Sequence, residues 1–203
     1  MNLLAVLLAA RIVVIGDSVA HGLAPSLNAT NLGINGARTR NVLALLPRAQ
    51  SIVRAADIIV VSIGGNDLYG DNTARLFTTV WPSMAMHRTL DRIESIVAQL
   101  HRINPNARVS LLGLYDPYHR ASLDKQVALW DSRLIARFAA DRNVQVIRIA
   151  DLFVWNDRLS ERDHYHPSAE GYACIAARIR QSSGGQAPSP VPSPSTHSRQ
   201  SQR

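Results

Sequence analysis

The chain has 203 residues, an apolar share of 46% and a formal net charge of +7, enough for one domain with a sizeable core plus a tail. The positive charge is almost all arginine, since Lys125 is the only lysine, and the arginines are scattered without interleaved aromatics, which argues against a nucleic-acid partner. Cys174 is the only cysteine, which excludes an intrachain disulfide and a thiolate metal cluster.

The chain opens with "MNLLAVLLAA", residues 1–10, an apolar segment ending in the small residues Ala9 and Ala10. It resembles the apolar part of an export signal but lacks the basic lead-in, and the expectation leans to an extracytoplasmic protein over a cytoplasmic one. A membrane span is not expected, because residues 12–15 are wanted for a strand and the remaining run is too short.

"RIVVIG" (11–16) is the first predicted strand, followed by Gly16-Asp17-Ser18 and a helical stretch. A weaker strand, "NATNLGI" (28–34), ends in Asn35-Gly36. A helical pattern, "TRNVLALLPRAQSIVRA", leads to the third strand, "DIIVVSIGG" (57–65), and to Asn66-Asp67. Residues 68–86 are long for a connection and read as a lid or pocket wall. "TLDRIESIVAQLHRI" repeats Leu90, Ile93, Val97 and Leu100 on one helical face. "ARVSLLGLY" (107–115) is the fourth strand and runs into Asp116-Pro117-Tyr118. "SLDKQVALWDSRLIARFAADR" is again helical, and "NVQVIRI" (143–149) is the fifth strand. After "RDHYHPSAEGY" a last helix runs from about Pro167 to Arg180, with the proline at a position that needs no N–H. From Ser182 the chain is rich in Pro, Ser and Gly and reads as a disordered tail. The expected layout is therefore an apolar segment (1–10), one domain (11–181) and a tail (182–203).

Near-continuous apolar runs suit strands buried on both faces, and strand alternates with helix. The predicted class is α/β, a three-layer α/β/α flavodoxin-like parallel sheet of about five strands. In such sheets ligands gather beyond the carboxyl ends of the strands. There the chain offers Ser18, Gly36, Asn66, the Tyr115–Tyr118 turn, Asp163 and His166. A hydroxyl, amide donors, a carboxylate and an imidazole are the inventory for acyl transfer. Each has a plainer use: Ser18 as a helix cap, Asn66 and Gly36 as turn residues, Asp163 and His166 as loop residues. Those uses do not explain why all of them sit on one rim.

"IGDS" with Ser18, "NG" with Gly36, "GGND" with Asn66, and "DHYH" with Asp163 and His166 resemble the four blocks of the SGNH hydrolases, also called GDSL esterases. The blocks come in that family's order and span about residues 11–181. Val19 departs from the leucine in the family's name, at a position of apolar packing. The resemblance implies a serine esterase on a sheet of order 2-1-3-4-5. Ser18 would be the nucleophile, His166 the base and Asp163 its orienter. The oxyanion donors would be the Ser18 and Gly36 N–H groups and the Asn66 amide. Tyr69, Tyr115 and Tyr118 would line the acyl or alcohol pocket. The expected substrate is a small-molecule ester with a small or medium acyl chain. A carbohydrate acetyl ester is the alternative, beside lysophospholipase or thioesterase activity and a catalytically silent binding domain.

No cofactor is expected. "GDSVAHG" lacks both Gly-x-Gly-x-x-Gly spacing and a Walker lysine, and no Gly-x-Ser-x-Gly elbow of an α/β-hydrolase is present. His164 and His166 form a His-x-His pair without companion ligands, so no metal is expected. Nothing in the chain demands a second copy, and a monomer is expected.

Overall fold

The structure is a computed structural model and describes residues 10–69, 83–160 and 162–184. The apolar segment 1–9, the centre of the suspected lid (70–82) and the tail beyond 184 lie outside the described residues.

Five strands, β1 (Ile12–Gly16), β2 (Thr30–Gly33), β3 (Ile58–Ser62), β4 (Arg108–Leu112) and β5 (Val144–Ile147), form a sheet of order β2-β1-β3-β4-β5. Every pairing is parallel. This is the expected topology, and it sets β1 between β2 and β3.

Seven helical segments are described: α1 (Ser18–Leu27), α2 (Thr39–Leu45), α3 (Gln50–Arg54), α4 (Gly65–Tyr69), α5 (Ser83–Ile103), α6 (Ala121–Phe138) and α7 (Ala169–Gly184). Strand side chains alternate between two cores. Val13, Ile15, Ile59 and Val61 face the side packed by α2, α3, α5 and α6, with Leu46, Ile96, Leu100 and Trp130 fully buried there. Val14, Val60, Leu112 and Ile147 face the side packed by α1 and α7, against Leu23, Ile175 and Ile179. All five residues of β3 are buried, which is why that strand reads as an unbroken apolar run.

Three expected boundaries moved. The helix read over 39–55 is broken into α2 and α3 by a 3-10 turn at Leu46–Arg48, because Pro47 has no N–H for the ladder and its ring crowds the preceding turn. α7 begins at Ala169 rather than at Pro167, with the Ser168 hydroxyl accepting from the Gly171 N–H at 3.1 Å. Pro167 instead pairs with Leu159 in an isolated bridge. The helix also runs on to Gly184, past the expected domain edge at 181, and the Arg108 guanidinium donates to the Ser183 carbonyl.

Candidate active site

β1 must leave the sheet sharply to start α1. Gly16 does this with φ +145, and a Cβ there would stand 1.7 Å from the Ser62 carbonyl oxygen. Only glycine fits both the backbone angle and the contact. The next N–H, that of Asp17, donates to the same carbonyl at 2.9 Å. Asp17, not Ser18, then caps α1: its Oδ1 accepts from the N–H of Val19 at 3.0 Å and of Ala20 at 3.4 Å. The cap is already filled, so the Ser18 hydroxyl at the first helical position is released for other work.

That hydroxyl meets an imidazole. Ser18 Oγ lies 2.9 Å from His166 Nε2, and His166 Nδ1 lies 2.7 Å from Asp163 Oδ2. The other carboxylate oxygen accepts from the backbone N–H groups of Tyr165 and His166, both at 3.0 Å. Acid and base therefore share one tight loop, closed at its base by the Ser160 N–H donating to the His166 carbonyl at 2.8 Å. Burial pushes the Asp163 carboxyl up, but the bond to His166 and the two N–H groups outweigh it and hold the group at about 2. An ionised Asp163 accepts a hydrogen bond from the Nδ1–H of the imidazole, which fixes the tautomer whose Nε2 is an acceptor facing Ser18.

Gly36 sits in a tight turn in which the Ala37 N–H donates to the Ile34 carbonyl at 3.0 Å. Its φ of +72 is what a type II turn requires at that position, and no atom crowds a Cβ there. Asn66, in the first turn of α4, donates one amide hydrogen to the Ala37 carbonyl at 2.9 Å. The same amide has a second hydrogen to offer. Asp67 braces the arrangement from behind, accepting from the Thr39 N–H at 2.9 Å and the Thr39 hydroxyl at 2.6 Å. The loops after β1, β2 and β3 are thus tied together, and Ser18, Gly36 and Asn66 line one cleft.

Ser18, Gly36, Asn66, Asp163, His166, Tyr69 and Tyr118 all line one open cleft of about 790 Å³. Tyr115 does not reach it. Its ring is buried against Phe153, with centroids 4.3 Å apart, and its hydroxyl donates to the Tyr165 carbonyl at 2.8 Å. It lines instead a small inner cavity of about 30 Å³ beside Ser18. Desolvation raises the Tyr69 and Tyr115 phenols well above their ordinary range, so both stay protonated as donors.

Three cleft residues escaped the sequence reading: His21, Tyr165 and Tyr172. His21 follows Ser18 at helical spacing, so a same-face argument would have found it. Tyr165 stands between Asp163 and His166. Tyr172 is visible only in three dimensions, where its hydroxyl fills the space a side chain at Gly22 would need.

Asp17 is buried, and desolvation lifts its carboxyl to about 6 against the pull of the Ala20, Val19 and Ser62 hydrogen bonds and of His166. The group is the neighbour of Ser18 in the chain.

Comparison with known proteins bears on the family and the fold. The family model described as GDSL-like Lipase/Acylhydrolase matches residues 14–174. The Bacillus subtilis (strain 168) protein YpmR is 26% identical over 170 residues; the match covers 77% of this chain and 66% of that protein's length. Among solved structures, the lipase Lip_vut3 from a goat rumen metagenome superposes with a TM-score of 0.71 at 19% identity, covering 88% of this chain and 99% of that one. A catalytic mutant of Axe2, an acetylxylan esterase from Geobacillus stearothermophilus, gives a TM-score of 0.64 at 15% identity, covering 88% and 95%. At such identities the solved structures speak to the fold, while the family match spans most of the chain. The chain belongs to the GDSL-like lipase/acylhydrolase family of ester hydrolases.

Proposed function

We propose that the protein hydrolyses carboxylic esters through an acyl-enzyme on Ser18, with small or medium acyl chains. One observation carries the reading: the Ser18 hydroxyl, the His166 imidazole and the Asp163 carboxylate stand in line at 2.9 and 2.7 Å. Ser18 Oγ attacks the ester carbonyl as His166 Nε2 takes its proton. Asp163 holds the Nδ1–H and stabilises the imidazolium. His166 then protonates the departing alcohol. Water, deprotonated by the same nitrogen, attacks the acyl carbon and releases the acid and Ser18. The oxyanion of each tetrahedral intermediate takes hydrogen bonds from the N–H groups of Ser18 and Gly36 and from the free hydrogen of the Asn66 amide. Neutral donors suit this role, since they are strongest when the negative charge develops. All these groups come from one chain, which suits a monomer.

A carbohydrate acetyl ester is the second reading. It is favoured by the hydrogen-bonding residues His21, Asn35, Tyr118 and Tyr172 in the lining of the outer cleft. No helix among the described residues is long and apolar enough to cross a membrane.

The test is hydrolysis of p-nitrophenyl acetate by the full chain and by Ser18→Ala. The wild type should release p-nitrophenol, and the variant should lose about 10⁴-fold or more in turnover. Equal rates would end the proposal.

A further inference from the structure

Ser18 stands where two cavities meet. The inner one, about 30 Å³, is walled by Val19, Leu114, Tyr115, Pro117 and Ile149. The outer one, about 790 Å³, opens to solvent and contains Gly36, Asp163 and His166. Ser18, Asn66, Tyr69 and Tyr165 line both.

We infer that the inner cavity is the acyl pocket, that it holds acyl groups of two or three carbons, and that Tyr69 sets this limit. The inference rests on the acyl-enzyme reading above.

The direction follows from proton transfer. In the tetrahedral intermediate the former carbonyl carbon bears Ser18 Oγ, the oxyanion, the acyl chain and the alcohol oxygen. The alcohol oxygen must receive its proton from His166 Nε2, so it points to the side where His166 lies. His166 lines the outer cleft and not the inner cavity. The oxyanion faces Asn66 and Gly36. The position that remains for the acyl chain is the inner cavity, where Val19, Leu114, Pro117 and Ile149 stand beside the polar Asp17 and Ser62.

The size follows from the volume. At about 30 Å³ against about 790 Å³ for the outer cleft, the inner cavity suits only a short acyl group such as acetyl or propionyl. A longer chain must displace a wall.

The wall resists. Tyr69 lies one helical turn after Asn66 on α4, so its ring flanks the donor amide. Its hydroxyl donates to the Tyr115 carbonyl at 3.1 Å, and the Tyr115 hydroxyl donates to the Tyr165 carbonyl at 2.8 Å. Moving Tyr69 outward breaks a bond to the loop after β4, and that loop is itself bonded to the loop carrying His166. The Tyr69 ring also lies over Gly65, 3.6 Å from where a Cβ would stand.

The experiment is a series of p-nitrophenyl esters from acetate to octanoate, read as kcat/KM for the full chain and its variants. The wild type should favour acetate and propionate. A methylene beyond what the pocket holds should cost about 10- to 200-fold. Tyr69→Ala should raise the hexanoate-to-acetate ratio at least about tenfold by the same reasoning. Leu114→Ala opens the cavity from another wall and should move the ratio in the same direction, which covers the case that Tyr69→Ala does not fold. A wild type that cleaves hexanoate as well as acetate, or a ratio unchanged in every folded variant, overturns the inference. Ser18→Ala in the same series separates the two proposals. Undiminished cleavage there, or a wild type inert on every ester, defeats the acyl-enzyme reading. Cleavage that needs Ser18 but ignores chain length defeats only the pocket.

Discussion

Asp163→Asn tests how the loop prepares the imidazole. The carboxylate makes three bonds: one oxygen accepts from His166 Nδ1 at 2.7 Å, the other from the N–H groups of Tyr165 and His166 at 3.0 Å each. Asparagine keeps an oxygen for the two backbone donors, so the loop should hold its shape. It presents an NH₂ where the second oxygen stood. Facing a donor, Nδ1 becomes the acceptor, the ring proton moves to Nε2, and Nε2 now offers a hydrogen to Ser18 Oγ at 2.9 Å instead of a lone pair. The base is lost by tautomer rather than by distance. The expected loss in kcat is about 10⁴-fold, equivalent to about 5 kcal/mol of barrier. The assay is steady-state hydrolysis of p-nitrophenyl acetate between pH 6 and 9, beside a thermal melt. A variant that melts like the wild type and turns over within tenfold of it would refute the tautomer argument.

Other outcomes follow from the same geometry. Asn66→Ala removes the proposed oxyanion donor and the clasp on Ala37, and kcat should fall about 10²–10³-fold while the protein stays folded by circular dichroism. Asp17→Asn keeps an oxygen to cap α1 and removes a buried charge. Because the native carboxyl sits at about 6 against an ordinary 3.8, the folded state binds this proton more tightly than the unfolded one. The wild type is therefore favoured at low pH and loses stability through this group as pH rises from about 4 to about 6, by up to about 3 kcal/mol. Denaturant unfolding at pH 4 and pH 8 should show the variant gaining on the wild type by that order, and no gain would contradict the burial argument. Tyr115→Phe keeps the ring on Phe153 but deletes the bond to the Tyr165 carbonyl. It should cost about 1 kcal/mol in stability, with kcat reduced more than KM is raised; unchanged kcat would show that the loop needs no such anchor.

The sheet was readable because its strands are buried on both faces. β1, β3 and β4 show as apolar runs, and their order followed from the family resemblance. β2 was faint for a physical reason: it is an edge strand with exposed Thr30 and Asn31, so little apolar pressure marks it. Helix boundaries were less visible because they depend on capping and packing. Pro47 split one helix that periodicity had read as continuous, and α7 starts at Ala169, with the Ser168 hydroxyl rather than Pro167 at its head. In the site, the groups that meet at Ser18 were legible one by one, since each follows a strand. The supporting contacts were not. Asp17 reads as a turn residue until its cap on Val19 and Ala20 is seen. Tyr115 reads as a pocket residue until its hydroxyl is found on the Tyr165 carbonyl. The Tyr115 bond joins residues 50 positions apart, and no local pattern encodes it.

The central claim is that Ser18 is made nucleophilic by His166, and covalent capture tests it most directly. The full chain is treated with a p-nitrophenyl alkylphosphonate and its peptides are weighed. The account predicts one phosphonyl group per chain, carried by the peptide that contains Ser18, with labelling abolished in Ser18→Ala and strongly slowed in His166→Ala. A chain that takes no label, or one labelled elsewhere at the same rate with Ser18 absent, would contradict it.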